Sequence, residues 1–170
     1  MNDYLMRPDA LPTWRQRTAL RLLNLIGWQF HFKPLPGPHG IAVVYPHTSN
    51  IDFPVSAPQG AIKRLAQTMH ASTWFWLAVT PEGTRSYRPY WKSGFYRIAR
   101  EADVPVALIA IDYGRKIIDV TRTMTLTGDE AADMAAIAAR YEGVRGRFPK
   151  DMAPIRLAPH PPAGGADNAS

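Results

Sequence analysis

The chain contains no cysteine among its 170 residues, so it can form neither disulfide bonds nor metal sites with thiolate ligands. Four of its histidines also lack a metal-like spacing to carboxylates, and the metalloprotease pattern H-E-x-x-H does not occur. These four are His31, His39, His70 and His160. We therefore expect no metal site. The absence of cysteine also fits a cytoplasmic protein.

Long apolar runs are missing as well. No stretch approaches the roughly 18 to 20 apolar residues that a bilayer-spanning helix needs. The first apolar run begins well inside the chain and lacks a small-residue cleavage site, so we expect no secretory signal. The phosphate loops G-x-x-x-x-G-K-[ST] and G-x-G-x-x-G are absent, and no serine stands in a G-x-S-x-G setting. These absences argue against nucleotide binding through such loops and against a serine hydrolase.

Acidic residues are in the minority. The chain has 14 of them against 20 Lys and Arg, which gives a net charge of +6. Such a surface favours anionic partners, namely phospholipid headgroups, phosphorylated substrates, coenzyme A or nucleic acid. Nucleic acid is the weakest candidate, because no recognised motif of that kind occurs. Three arginines, Arg140, Arg145 and Arg147, cluster near a predicted helix end, where a solvated basic face is the default interpretation.

Strand-like and helix-like segments alternate along the chain. This pattern is typical of an α/β fold with a mixed, largely parallel central sheet flanked by helices. Strands are predicted at about 40–45, 74–79 and 104–112, with a further β pair at 116–120 and 123–127. Helices are predicted at about 59–71, 91–102 and 129–141. We assign residues 1–157 to a single domain and residues 158–170, rich in proline and glycine, to a disordered tail.

An N-terminal amphipathic helix is predicted from Leu11 to Phe32, with arginines early and apolar side chains later. Two interpretations remain open for it. It could lie in the headgroup plane of a membrane as a basic, aromatic interfacial helix. Alternatively, it could cover the sheet of the domain with its arginines simply solvated.

Two polar blocks follow apolar, strand-like runs. His47 and Asp52, separated as H-x4-D, come directly after the run 41–45. The block P-E-G-T-R-S, residues 81–86, follows the run 74–79. Open α/β sheets place their ligands beyond the carboxyl ends of their strands, so we expect both blocks at one edge of the sheet.

These blocks, in this order, resemble those of the PlsC-like glycerophospholipid acyltransferases, typified by 1-acylglycerol-3-phosphate acyltransferase. Two further matches follow them, Lys92-Ser93-Gly94 and the Pro-containing strand block 104–108. The resemblance runs from about residue 40 to about residue 157. It implies a glycerolipid acyltransferase-like fold and transfer of a fatty acyl group from an acyl thioester to a hydroxyl of a lysophosphatidate- or glycerophosphate-type acceptor.

The resemblance also assigns roles to the H-x4-D block. His47 would be the general base that removes the proton from the attacking hydroxyl, and a neutral imidazole suits this task near pH 7. Asp52 would accept a hydrogen bond from the other ring nitrogen and fix its tautomer. The alternative is that His47 makes a loop hydrogen bond and Asp52 caps a helix.

The second block would bind substrate. Arg85 offers a planar guanidinium suited to the acceptor phosphate, and Gly83 permits close backbone approach. Glu82 would order the loop or bind an acceptor hydroxyl, and Thr84 would hydrogen-bond within the turn. Lys92 could supplement phosphate binding, or it could be an ordinary surface lysine.

The donor would be acyl-coenzyme A or acyl carrier protein, with no metal and no organic cofactor. The acceptor would be a lysophospholipid or glycerophosphate, and we expect a cytoplasmic protein in peripheral contact with the inner face of the membrane, with no nucleic-acid partner. The interval from His47 to Glu82 is, however, about half that of typical family members. The alternative is therefore a shortened, catalytically impaired relative that acts as a non-catalytic lipid-associated domain.

Overall fold

The computed structural model describes residues 14–46, 59–83 and 87–158. These residues form an α/β fold with a five-stranded mixed sheet, in which most strand pairs are parallel. The strands are β1 (Gln29–Phe32), β2 (His39–Tyr45), β3 (Phe75–Val79), β4 (Val106–Asp112) and β5 (Ile117–Met124). The helices are α1 (Trp14–Leu25), α2 (Gln59–Ala71), α3 (Gly94–Glu101) and α4 (Glu130–Arg140), and a 3₁₀ turn covers Pro149–Asp151. The predicted fold class is confirmed at this level.

The sheet order is β1-β5-β4-β2-β3. Strand β2 pairs in parallel with both β3 and β4, so these three strands end at the same side of the sheet. Strand β5 runs antiparallel to β4 and therefore starts at that side, as does β1, its parallel neighbour. We call this side the carboxyl edge.

Most of the core lies on one face of the sheet. Apolar residues of α2, α3 and α4 pack there against alternate residues of β2, namely Ile41, Val43 and Tyr45. The helical contributors include Ile62, Met69, Ile98 and Ile137. A smaller cluster on the other face is built around Ala42, Ile109 and Val120. This alternation between faces is the period of a β-strand, and it explains why the runs at 41–45 and 106–110 carry apolar residues almost continuously.

Two predicted elements are wrong in part. The helix predicted to Phe32 ends at Leu25, because Gly27 adopts φ +81° and closes the helix, and residues 29–32 then form strand β1. The predicted β pair at 116–120 and 123–127 is instead the single strand β5. It pairs with β4 through a register shift between Leu108 and Ala110.

Some predictions fall partly outside the described residues. These include the start of the N-terminal helix before Trp14 and the tail beyond Ala158. Among the residues that the structure does describe, no helix combines the length and the apolar character needed to cross a bilayer.

Candidate active site at the carboxyl edge

The two strands that precede the sequence blocks end side by side. Strand β2 ends at Tyr45 and is followed by Pro46, directly before His47. Strand β3 ends at Val79 and leads into Pro81, Glu82 and Gly83. Because β2 and β3 are parallel neighbours, with Val43 opposite Val79, both chains leave the sheet at the carboxyl edge. The structure thus places Pro46, the last described residue before the first block, at the same edge as the start of the second block.

The backbone of a single residue, Ala153, ties these two strand ends to each other. The Tyr45 hydroxyl donates to the carbonyl of Ala153 at 3.0 Å, and the amide of Ala153 donates to Glu82 Oε1 at 3.1 Å. Both side chains are buried, with Glu82 only 6% exposed. The segment around Ala153 therefore acts as a bridge that fixes the end of β2 relative to the turn after β3.

Aromatic packing holds Tyr45 in this position. Its ring centroid lies 5.0 Å from that of Trp91 and 5.1 Å from that of Tyr141. Burial raises the pKa of the Tyr45 hydroxyl well above its usual range, and the nearby negative charge of Glu82 adds a smaller effect in the same direction. The hydroxyl therefore stays protonated at physiological pH and serves as a hydrogen-bond donor.

Gly83 and Lys92 are in contact. Gly83 has φ +62°, and a methyl group at its α-carbon would overlap the end of the Lys92 side chain. The backbone fixes this pairing, since the Lys92 amide donates to the Pro81 carbonyl at 2.9 Å. The lysine ammonium thus lies over the glycine that leads to Thr84 and Arg85.

The predicted site residues divide into two groups. Glu82, Gly83 and Lys92 lie together at the carboxyl edge, as described above. The other four, His47, Asp52, Thr84 and Arg85, lie outside the described residues. Their predicted roles stay predictions.

Sequence reasoning missed the residues that support the site. Tyr45 and Ala153 are separated by 108 positions, and no local pattern connects them. Two buried polar atoms, Thr80 Oγ1 and Trp91 Nε1, also border the turn and have no hydrogen-bond partner within the described ranges. A tyrosine at the last position of a buried strand was the one available signal, because a buried hydroxyl needs a partner.

The described ranges hold no group of three or more His, Cys, Asp or Glu able to bind a metal ion. Comparisons of the chain with protein-family models, with curated proteins and with solved structures find no match. The features that point to a function are therefore the two sequence blocks and the geometry of the carboxyl edge.

The role of Glu82 can be tested through stability. Glu82→Ala is expected to lower the free energy of unfolding by about 1–3 kcal/mol, because it leaves the buried Ala153 amide without its acceptor. Glu82→Gln keeps an acceptor oxygen on a side chain of the same shape, so its free energy of unfolding should fall much less. Urea unfolding of both variants measures the difference. Equal stability of wild type and Glu82→Ala would contradict the bridging role.

Proposed function

We propose that this protein is an acyltransferase that transfers a fatty acyl group from an acyl thioester to a hydroxyl of a lysophosphatidate- or glycerophosphate-type acceptor. The observation that carries this proposal is the meeting of two strand ends at one edge, each leading directly into one of the two blocks that resemble the PlsC-like family. The bridge from Tyr45 through Ala153 to Glu82 supports it further, since it holds both exits in a fixed relation.

In the proposed reaction, His47 accepts the proton of the acceptor hydroxyl as its oxygen attacks the thioester carbonyl. Asp52 orients the imidazole and stabilises the cation formed. The new ester bond forms, the carbon–sulfur bond breaks, and the imidazolium returns the proton to the departing thiolate. Proton transfer of this kind contributes about 10²- to 10⁴-fold to the rate.

The second block binds the acceptor in this proposal. Arg85 takes the acceptor phosphate, and Lys92 adds a second cation from its position over Gly83. Glu82 is buried and accepts from Ala153, which favours loop ordering over contact with an acceptor hydroxyl. Thr84, the next residue along the chain, would hydrogen-bond within the loop, as the resemblance implies.

The substrates place the protein at the cytoplasmic face of a membrane, in peripheral contact, with acyl-coenzyme A or acyl carrier protein as donor. Helix α1 supports this placement, because Trp14, Leu22 and Leu25 are 67%, 59% and 81% exposed. The glycerolipid acyltransferase-like fold is part of the same proposal.

The short interval between the blocks favours one other function, that of a lipid-associated domain without activity. Purified protein incubated with acyl-coenzyme A and lysophosphatidate separates the two, with free thiol as the product measured. Thiol release well above that of His47→Ala supports the enzyme. Release equal to that variant, across several donors and acceptors, supports the non-catalytic domain.

Arg85→Ala is expected to raise the KM for the phosphorylated acceptor by about tenfold or more, since a charge-assisted hydrogen bond contributes about 1.5–3 kcal/mol. The KM for the acyl donor should change little. Steady-state kinetics with each substrate varied in turn measure both values. An equal rise in the two KM values would contradict a specific role for Arg85 in acceptor binding.

A further inference from the structure

Three exposed segments form a continuous surface on the carboxyl edge. The end of α1 meets the β4–β5 turn, where Lys116 Nζ donates to the carbonyl of Ile26 at 3.1 Å and the rings of Trp28 and Tyr113 lie 5.1 Å apart. The β4–β5 turn also contacts residues 145–148, where the amide of Tyr113 donates to the carbonyl of Arg145 at 2.8 Å. We call this surface the basic-apolar edge.

Its side chains combine positive charge with apolar area. Leu25, Ile26, Tyr113 and Phe148 are 81%, 61%, 41% and 49% exposed. The cations are likewise exposed, and they are Arg115, Lys116, Arg145 and Arg147. The carboxylate of the turn, Asp112, is buried and paired with Arg115, so these two charges offset each other and the net positive charge of the surface comes from the other three cations.

The basic-apolar edge borders the candidate site. A methyl group on Gly146 would lie 3.1 Å from Pro46 Cγ, which places segment 145–148 against the residue directly before His47. The fold thus sets this surface beside the exit of the chain toward the proposed base.

We propose that the basic-apolar edge docks on a bilayer containing anionic phospholipids. Guanidinium and ammonium groups attract anionic headgroups, while the neighbouring aliphatic and aromatic side chains enter the interfacial region. Nucleic acid would match the cations but gives no role to exposed Leu25 and Ile26. This docking rests on the proposed function, because the bilayer is the partner that would bring the site to its lipid substrates. Vesicle binding itself requires no catalysis and can be measured separately.

The test uses sedimentation of the full chain with vesicles of phosphatidylcholine, alone or mixed with phosphatidylglycerol. Binding to the mixed vesicles should be much stronger and should weaken with salt. Arg145→Glu/Arg147→Glu is expected to lower the partition coefficient on mixed vesicles by at least about tenfold, because two cations that attract the anionic surface are replaced by anions that it repels. The matched control is Lys33→Glu/Arg97→Glu, which changes the net charge equally at exposed positions away from the edge.

An apolar variant adds an independent measurement. Leu25→Ser should weaken vesicle binding even at high salt, because it removes exposed apolar area and no charge. Equal loss in both charge-reversal variants, equal binding to both vesicle types, or binding to duplex DNA without binding to vesicles would overturn the proposal.

Failure of this inference and failure of the proposed function give different results. His47→Ala should bind vesicles as wild type does, whereas Arg145→Glu/Arg147→Glu should keep acyl transfer to water-soluble glycerol 3-phosphate. Vesicle binding without thiol release would support membrane docking and contradict the proposed acyltransferase activity. Thiol release without vesicle binding would do the reverse.

Discussion

Replacing His47 by alanine is expected to lower kcat for acyl transfer by about 10²- to 10⁴-fold while leaving the free energy of unfolding nearly unchanged. The loss is large because the hydroxyl proton must leave as the new ester bond forms, and water is a much weaker base than a positioned imidazole. Asp52→Ala should give a loss in the same direction, since the imidazole would lose the partner that orients it. Initial rates of thiol release, with urea unfolding of the same samples, measure both quantities.

His39 provides a matched control for this experiment. It lies at the start of β2, at the side of the sheet opposite the carboxyl edge, and its Nε2 hydrogen-bonds to the carbonyl of Ser72 at 2.7 Å. His39→Ala should therefore keep kcat and lose some stability. If His39→Ala and His47→Ala lowered the rate to the same extent, general base catalysis by His47 would be rejected.

The part of the site that sequence could predict is the part set by local order along the chain. Apolar runs ending at Tyr45 and Val79 predicted strands, and parallel pairing then placed the following residues at one edge. The contact of Gly83 with Lys92 also spans a short stretch of chain. The bridge through Ala153 could not be predicted, because its hydrogen bonds join residues 108 and 71 positions apart.

The errors in the fold have similar causes. Trp28, Phe30 and Phe32 are apolar residues that fit a helix or a strand, and Gly27 was the local signal for the helix end. The predicted break in β5 fell at Thr121 and Arg122, neither of which is a preferred turn residue. Here tertiary pairing with β4 and β1 decides the structure, and local propensity does not.

Two buried carboxylates shape turns at opposite sides of the sheet. Asp112 accepts from the amides of Gly114 and Arg115 and thereby shapes the turn that carries part of the basic-apolar edge. Burial acts to raise the pKa of Asp112, but the hydrogen bonds and charge of Arg115 and the amide of Gly114 lower it below its usual value. Asp133 has the corresponding role at the other side of the sheet, where β5 leads into α4.

Asp133→Ala is expected to lower the free energy of unfolding by about 3 kcal/mol or more. The Asp133 side chain is 2% exposed and accepts hydrogen bonds from the Tyr96 hydroxyl at 2.8 Å, from the Thr127 amide at 3.0 Å and from the Gly128 amide at 3.1 Å. Alanine would leave these donors buried without an acceptor. Asp129→Ala is the control on the same helix, where loss of the exposed N-cap bond to Ala132 should cost about 1 kcal/mol.

The same carboxylate predicts a pH dependence with a definite sign. Burial would raise the pKa of Asp133, but hydrogen bonds from Thr127, Tyr96 and Gly128 lower it below the usual 3.8. The unfolded chain therefore binds a proton more readily than the native one, so this stabilisation is full above that value and is lost as pH falls below it. Asp133→Asn should be destabilised at neutral pH, because an NH2 group that cannot accept from these donors replaces one of the two carboxylate oxygens, and its stability should fall less steeply in acid. Urea unfolding of wild type and Asp133→Asn from pH 7 downward measures this difference. Asp112 titrates in both proteins and contributes equally to the two curves of stability against pH. If these two curves were parallel, the pH dependence would not come from Asp133.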